Sequence, residues 1–216
     1  MTVWGIVVAG GKGSRFGAPK QFEALGAARP SLVERAVATT ASACDRVVVV
    51  LPPGRTWDGT PAAAVAGGVR RSDSVRAGLA AVADEADVIV VHDAARPLAS
   101  VALFRAVIDA VRDGADAAVP ALALADTIKR VEGTRVVATL PRDDLAAVQT
   151  PQAFRAEVLR RAHATGADAT DDAALVEAVG GRVVTVPGER ANLKVTTPAD
   201  FDLAAALLGT SEETAR

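Results

Sequence analysis

Tyrosine is absent from the sequence, and two tryptophans and five phenylalanines leave aromatics at only 3% of its 216 residues. Few flat side chains are on hand to stack the bases of a single strand or the faces of sugar rings. Cysteine occurs once, as Cys44, which excludes an internal disulfide. With only His92 and His163 for company, it also falls short of a structural zinc site of the usual kind. Cys44 reads as a small buried apolar residue, not a nucleophile. Charge of one sign is not in excess: 24 Lys and Arg against 26 Asp and Glu give a formal net charge of −2. No basic field exists to hold a polynucleotide, so nucleic acid is not an expected partner. The longest apolar runs, such as Val47 to Leu51, fall far below the ~20 residues that cross a bilayer, and Met1-Thr2-Val3-Trp4 lacks the basic start of a signal peptide. The sequence therefore predicts a cytoplasmic protein without a membrane partner.

What the chain does have is 50% hydrophobic residues, mostly Ala, Val and Leu, enough for one sizeable core. Val3 to Ala9 is an almost continuous apolar run and Arg46 to Leu51 is β-branched and stopped by Pro52-Pro53, as expected of strands buried on both faces. Between them, Ser31 to Ala43 has helical spacing, with Ser31 and Glu34 placed as a capping box. Helices are predicted over Asp73–Ala83 and Ser100–Arg112, and strands over Asp87–Val91 and Ala117–Val119. This alternation argues for an α/β fold with a mainly parallel, doubly wound sheet flanked by helices. Around Glu132-Gly133 two short alternating stretches, 126–131 and 135–140, form a β-hairpin arm leaving the main sheet. Helices over Phe154–Ala164 and Asp171–Val179, a strand over Arg182–Val186 and a helix over Ala199–Leu208 complete the pattern. We thus expect one domain over residues 1–209, with an arm at 121–149 and a flexible tail at 210–216.

The strongest chemical signal is the run 9–17, Ala-Gly-Gly-Lys-Gly-Ser-Arg-Phe-Gly, directly after the first strand. Ligands of open parallel sheets bind beyond the carboxyl ends of the strands, where glycines let backbone N–H groups approach a phosphate. The run is not a Walker A loop, because no Gly-Lys-Ser/Thr closes it, and not the dinucleotide fingerprint, because its spacing is G-x-G-x-x-x-G. Arg15 and Lys20 follow the glycines, and together they suit a polyphosphate that gains charge during substitution at phosphorus. A second constellation, Val91-His92-Asp93-Ala94-Ala95-Arg96-Pro97, again ends an apolar strand. Asp93 there could hold Mg²⁺ with phosphates supplying further ligands, or simply pair with Arg96 across the loop. His92 should point to the opposite face of the strand and serve the core. Gly67-Gly68 and Ser72-Asp73-Ser74 precede a helix and could read a base edge or merely cap that helix. Asp171 and Asp172 read first as charges favoured at a helix N-terminus.

In order, Ala-Gly-Gly-x-Gly-x-Arg with Pro19-Lys20-Gln21, Gly67-Gly68, the Val-His-Asp-Ala-Ala-Arg-Pro run, Asp126-Thr-Ile-Lys, Thr150-Pro-Gln, Thr170-Asp-Asp-Ala and Asn192-Leu-Lys-Val-Thr form a colinear series. It resembles the 2-C-methyl-D-erythritol 4-phosphate cytidylyltransferase family of the non-mevalonate isoprenoid pathway. The resemblance implies a Rossmann-like nucleotidyltransferase fold, a seven-stranded sheet and a homodimer in which each arm embraces its partner. It implies transfer of CMP from CTP, with Mg²⁺ or another divalent cation, to methylerythritol phosphate. The related ribitol-5-phosphate cytidylyltransferases, or another sugar- or polyol-phosphate nucleotidyltransferase, are the alternative. By motif position, Arg15, Lys20 and Lys194 would be catalytic, holding the triphosphate. Ala9, Gly10, Gly11, Gly13, Gly68 and Ser74 would bind nucleotide. Asp93 would serve the metal and, with Arg96, Thr150 and Thr170, the sugar phosphate, while Thr127 and Arg142 would reach in from the partner's arm.

Overall fold

A computed structural model describes residues 1–11, 16, 19–26, 30–59 and 63–214, with side chains to residue 209. Two expected site residues, Gly13 and Arg15, lie outside the described residues.

The apolar runs become strands β1 (Val3–Val8), β2 (Arg46–Leu51) and β4 (Val88–Asp93), with a short β3 (Ala63–Ala66) beyond β2. β1 pairs in parallel with both β2 and β4, and β2 with β3. Strands β5 (Ala117–Ala123) and β10 (Val183–Pro187) are parallel to each other, and β9 (Gln152–Arg155) joins the two halves by running antiparallel to both β4 and β5. The sheet order is β10-β5-β9-β4-β1-β2-β3, and β8 (Ala146–Val148) pairs off β5, so the sheet is mainly parallel as expected, with an eighth strand off its seven-strand path.

Alternation along the central strands divides the core into two layers. Ile6, Val48, Val50, Ile89 and Val91 face the helices α2 (Arg71–Leu79), α4 (Ala156–Ala164) and α5 (Asp172–Ala178). Their neighbours Val7, Val47 and Val49 face α1 (Leu32–Ala41), and Val88 and Val90 face α3 (Val101–Arg112). A smaller cluster packs α6 (Pro198–Thr214) through Ala204 and Leu208 onto Leu25, Leu32 and Val195.

Helix starts follow their caps. The Ser31 hydroxyl accepts from the Glu34 N–H while the Glu34 carboxylate accepts from the Ser31 N–H, the capping box read from the sequence. Ser100 and Asp171 likewise accept from the N–H groups of Leu103 and Ala174. The arm is a separate two-stranded sheet of β6 (Ile128–Glu132) and β7 (Arg135–Leu140).

Several boundaries differ from expectation. Phe154 lies in β9 and not at the start of a helix, because its fully buried ring is needed in the core and α4 begins only at Ala156. β3 and β8 are built from Ala-Ala-Val-Ala and Ala-Ala-Val, whose low strand preference leaves no local signal, so partner strands decide their conformation. The helix expected from Asp73 begins at Arg71 and ends at Leu79, and α6 extends past Leu208 to Thr214.

Candidate active site

A cavity of about 620 Å³ opens beyond the carboxyl ends of β1, β2 and β4. This is where an open α/β sheet binds ligands, since strand ends and helix starts leave backbone N–H groups unpaired there. Ala9, Gly10 and Gly11, leaving β1, form one wall, and Gly67 to Ser74, leading into α2, form another. The Gln21 amide donates to the carbonyls of both Ala9 and Gly11, at 2.8 Å each, and so pins the glycine turn to the short 3-10 turn Lys20–Phe22.

The two walls touch through small residues. A Cβ on Gly68 would stand 2.3 Å from Asp73 Cβ, and one on Gly10 would stand 3.1 Å from Ser74 Oγ. The Gly68 N–H donates to Ser74 Oγ at 3.2 Å, which folds the loop over the start of α2. Asp73 is held by Arg70 and Arg76, whose hydrogen bonds keep its carboxyl well below the usual range.

Asp93, the last residue of β4, projects into the cavity. Its Oδ2 meets Lys194 Nζ at 2.6 Å and its Oδ1 meets Arg71 Nε at 3.2 Å. Burial opposes the charge on Asp93, yet Arg71 and Lys194 outweigh it and hold the carboxyl far below the usual carboxylate range. Arg71 in turn gives Nη1 to Asp172 Oδ2 at 2.7 Å; burial works against its charge, and the two carboxylates more than restore it. The cavity lining thus carries four cations, Lys20, Arg70, Arg71 and Lys194, against the single carboxylate of Asp93 among the described residues. Such an excess favours a polyanion.

Behind Asp93 lies a buried polar chain. The Asp93 N–H donates to Thr150 Oγ1 at 3.0 Å, and that hydroxyl lies 3.1 Å from His92 Nδ1. His92 Nε2 lies 3.1 Å from the Arg96 carbonyl, while Arg96 donates to the Asn192 carbonyl at 2.8 Å. Asn192 closes the ring by donating to the Thr150 carbonyl at 2.9 Å, across a cis Thr150–Pro151 bond. Burial pushes the His92 imidazole down to about 4, so the ring is neutral and structural, as its strand position predicts. Burial also lowers the Arg96 guanidinium, with Asp93 opposing.

Of the residues singled out from the sequence, Ala9, Gly10, Gly11, Lys20, Gly68, Ser74, Asp93 and Lys194 line this one cavity. Thr150 and Arg96 sit behind Asp93, and Asp93 pairs with Arg71 and Lys194 rather than with Arg96. Thr170 is exposed just before the Asp171 cap of α5. Thr127 and Arg142 lie on the arm, outside the cavity lining, and Arg142 donates to the Ala125 carbonyl there. Sequence reasoning missed Gln21 and Arg71. Gln21 carried a signal only as the neighbour of Lys20, and Arg71 carried none of its own.

Among the described residues no group of three or more His, Cys, Asp or Glu side chains is placed to hold a metal ion. Asp93 is the one acidic side chain lining the cavity among the described residues. Two of the roughly four lone-pair positions of a carboxylate are used by Arg71 and Lys194, which leaves capacity for a cation. Mg²⁺ suits such a site, because it is commonly held by one or two carboxylates with phosphates and water completing its shell.

The profile of the family described as IspD, 2-C-methyl-D-erythritol 4-phosphate cytidylyltransferase, matches residues 3–210. A protein of that name from Frankia casuarinae is 48% identical over 213 residues, covering 94% of this chain and 80% of its own. One from Streptomyces avermitilis is 46% identical over 226 residues, covering 94% and 90%. The crystal structure of 2-C-methyl-D-erythritol 4-phosphate cytidylyltransferase from Thermus thermophilus superposes with a TM-score of 0.83 at 36% identity, covering 96% of this chain and 98% of that one.

Proposed function

The chain belongs to the 2-C-methyl-D-erythritol 4-phosphate cytidylyltransferase family, and we propose that it transfers CMP from CTP to 2-C-methyl-D-erythritol 4-phosphate. The products are 4-diphosphocytidyl-2-C-methyl-D-erythritol and pyrophosphate. The observation that carries this reading is the cavity itself: glycine walls, and Lys20, Arg71 and Lys194 gathered with Asp93 at its head.

The mechanism follows from charge. A phosphate monoester has a second pKa of about 6, so at neutral pH the acceptor already carries its nucleophilic oxygen and needs no strong base. That oxygen attacks the α-phosphorus of CTP in line; the new O–P bond forms as the bond to the β-phosphate oxygen breaks, and pyrophosphate leaves. Lys20 and Lys194, with Arg15, stabilise the charge that grows on the non-bridging and leaving oxygens. Asp93 would hold Mg²⁺, which supplies further charge neutralisation to the phosphates when bound. Gly10, Gly68 and Ser74 bring two walls close enough to grip a flat base between backbone groups, with Ala9, Gly11 and Gly13 around the nucleotide. Arg96 and Thr170, with Thr150 holding the Asp93 backbone, serve the acceptor phosphate.

The working unit is a homodimer, with Thr127 and Arg142 completing the partner's site. In support, Val131 and Val136 on the hairpin, with Leu145 beyond it and Val148 in β8, are four of the seven large hydrophobic side chains exposed among the described residues, and all four fall within 121–149. A monomer gains nothing from exposing them, whereas a partner would bury them. Consumption of CTP assigns the protein to the cytoplasm, where nucleotides are made. No described helix is long and apolar enough to cross a membrane.

The deciding experiment measures pyrophosphate release from CTP and Mg²⁺ with methylerythritol 4-phosphate and ribitol 5-phosphate in parallel. The expected result is at least about a tenfold preference for the first in kcat/KM, about 1.4 kcal/mol of discrimination. Preference for ribitol phosphate, or silence with both, overturns the assignment.

A further inference from the structure

Asp93 has two cationic partners, and they are anchored differently. The Lys194 side chain is 41% exposed, and among the described residues its ammonium is bonded to Asp93 alone. Arg71 is 24% exposed and spans two aspartates from separate elements, Asp93 at the end of β4 and Asp172 at the start of α5. Its third nitrogen, Nη2, is walled in and has no partner among the described residues, so the orientation of the guanidinium depends on those two carboxylates alone. Asp172 is itself 1% exposed and must be satisfied from within. One oxygen takes Arg71, and the other lies 3.0 Å from His163 Nε2. As the partner of a guanidinium, Asp172 can only accept, so His163 Nε2 is the donor. The imidazole is 3% exposed on α4, and its Nδ1 has no partner among the described residues. Among the described residues Asp172 is therefore the one hydrogen-bond anchor of this ring, and the ring is the one side chain bonded to the second Asp172 oxygen.

We propose that Arg71 is a positioning residue that fixes the Asp93 carboxylate at the head of the cavity, and that His163 holds Arg71 in place through Asp172. The proposal rests on the cytidylyltransferase reading for the task of Asp93, but the clamp itself stands on the contacts alone. Lys194 is expected to leave Asp93 for the triphosphate during turnover. Among the described residues Arg71 then remains the cation hydrogen-bonded to the carboxylate, and its planar fork holds two carboxylates in a fixed geometry that a flexible ammonium does not impose. His163 reaches neither ligand nor Asp93 and acts only through this chain.

The test compares wild type with His163→Met, which keeps bulk but removes the donor, and His163→Gln, whose amide can replace Nε2. Outer residues that orient a reacting group typically matter by about 10- to 100-fold. We expect His163→Met to lower kcat about tenfold with KM for CTP within about twofold, and His163→Gln to recover most of the loss. Arg71→Lys, which keeps the charge but not the fork, should lose kcat by at least about tenfold and covers the case in which His163→Met fails to fold. Independently of activity, the Arg71 Nε–H resonance, assigned by its loss in Arg71→Lys, should exchange with water at least about tenfold faster in His163→Met. Wild-type kcat in His163→Met or Arg71→Lys, or an unchanged Arg71 exchange rate, overturns the proposal. A wild type that fails to turn over methylerythritol phosphate overturns the functional reading instead, and the Arg71 resonance still judges the clamp.

Discussion

His92 offers a direct check on the buried chain behind Asp93. The ring is fully buried, with its centroid 5.0 Å from that of Phe104. A carbonyl can only accept, so Nε2 donates to the Arg96 oxygen and Nδ1 is left as the acceptor for the Thr150 hydroxyl. The hydroxyl, having given its proton to Nδ1, uses a lone pair for the Asp93 N–H. Protonation of His92 would put a donor opposite that donor and break the chain at its middle. Burial accordingly lowers the ring from 6.5 to about 4, with Asp93 opposing. In the unfolded chain the imidazole takes up its proton near pH 6.5, whereas in the folded one it resists until about pH 4. The contribution is therefore complete above pH 6.5, falls as pH drops through this window, and levels off below pH 4. Integrated from pH 7 to pH 5, the loss from this one group is about 2 kcal/mol. Urea unfolding at the two pH values should show that loss in wild type and lack it in His92→Gln, with other titrating groups cancelling in the difference. Direct NMR titration of the His92 ring covers a variant too unstable to compare. Equal pH dependence in both proteins, or a His92 ring titrating near 6.5, would refute the reasoning.

Lys194→Met removes the ammonium that lies 2.6 Å from Asp93 and should lower kcat by about 10²- to 10³-fold in the pyrophosphate assay, with the fold intact by circular dichroism. Gly68→Ala places a methyl 2.3 Å from Asp73 Cβ, so the loop must shift; KM for CTP should rise at least about tenfold, and calorimetric titration with CTP should show the same loss. Mixing and re-equilibrating Arg142→Ala with Lys194→Met, each inactive alone, should restore about a quarter of wild-type activity, because half the dimers are mixed and each carries one complete site; no recovery argues against a shared site. Cys44, its thiol pushed up to about 12 by burial and by Asp45, should resist a disulfide reagent at pH 8 until the protein unfolds.

Periodicity made the central sheet and its first helices readable. β2 matches the β-branched segment Arg46–Leu51 residue for residue, and α1 and α3 start at the serines that cap them. Alanine hid the rest: Ala-Ala-Val-Ala and Ala-Ala-Val suit helix as well as strand, and only the neighbouring strands β2 and β5 make them β3 and β8. The glycine walls were legible because close backbone approach demands glycine, and Lys20, Asp93 and Lys194 because the colinear motifs resemble a known family. Arg71, Asp172 and His163 were not. Their partnership with Asp93 joins four elements at separations such as 22 and 101 residues, and no spacing rule announces a contact of that kind. Asp171 and Asp172 were read as charges at a helix N-terminus and both stand there, Asp171 as the cap and Asp172 as the first residue of α5; that reading gave no sign that the Asp172 side chain turns inward to Arg71 and His163.

The uneven anchoring of the cations around Asp93 has a physical reason. A site that must receive a triphosphate and release pyrophosphate cannot hold all its positive charge rigidly, because product would then be held as tightly as substrate. Nor can all of it be mobile, because each lysine immobilised on binding costs up to about 2 kcal/mol of rotamer entropy. On the proposed mechanism Lys194, exposed and tied at one end to Asp93, would follow the phosphates as charge develops. Arg71, spanning Asp93 and Asp172, has its entropy already spent in the fold and moves only if two ion pairs break together. On the proposed mechanism the carboxylate would thus keep its place while its other partner changes, as an in-line substitution requires of a group beside the reacting phosphorus.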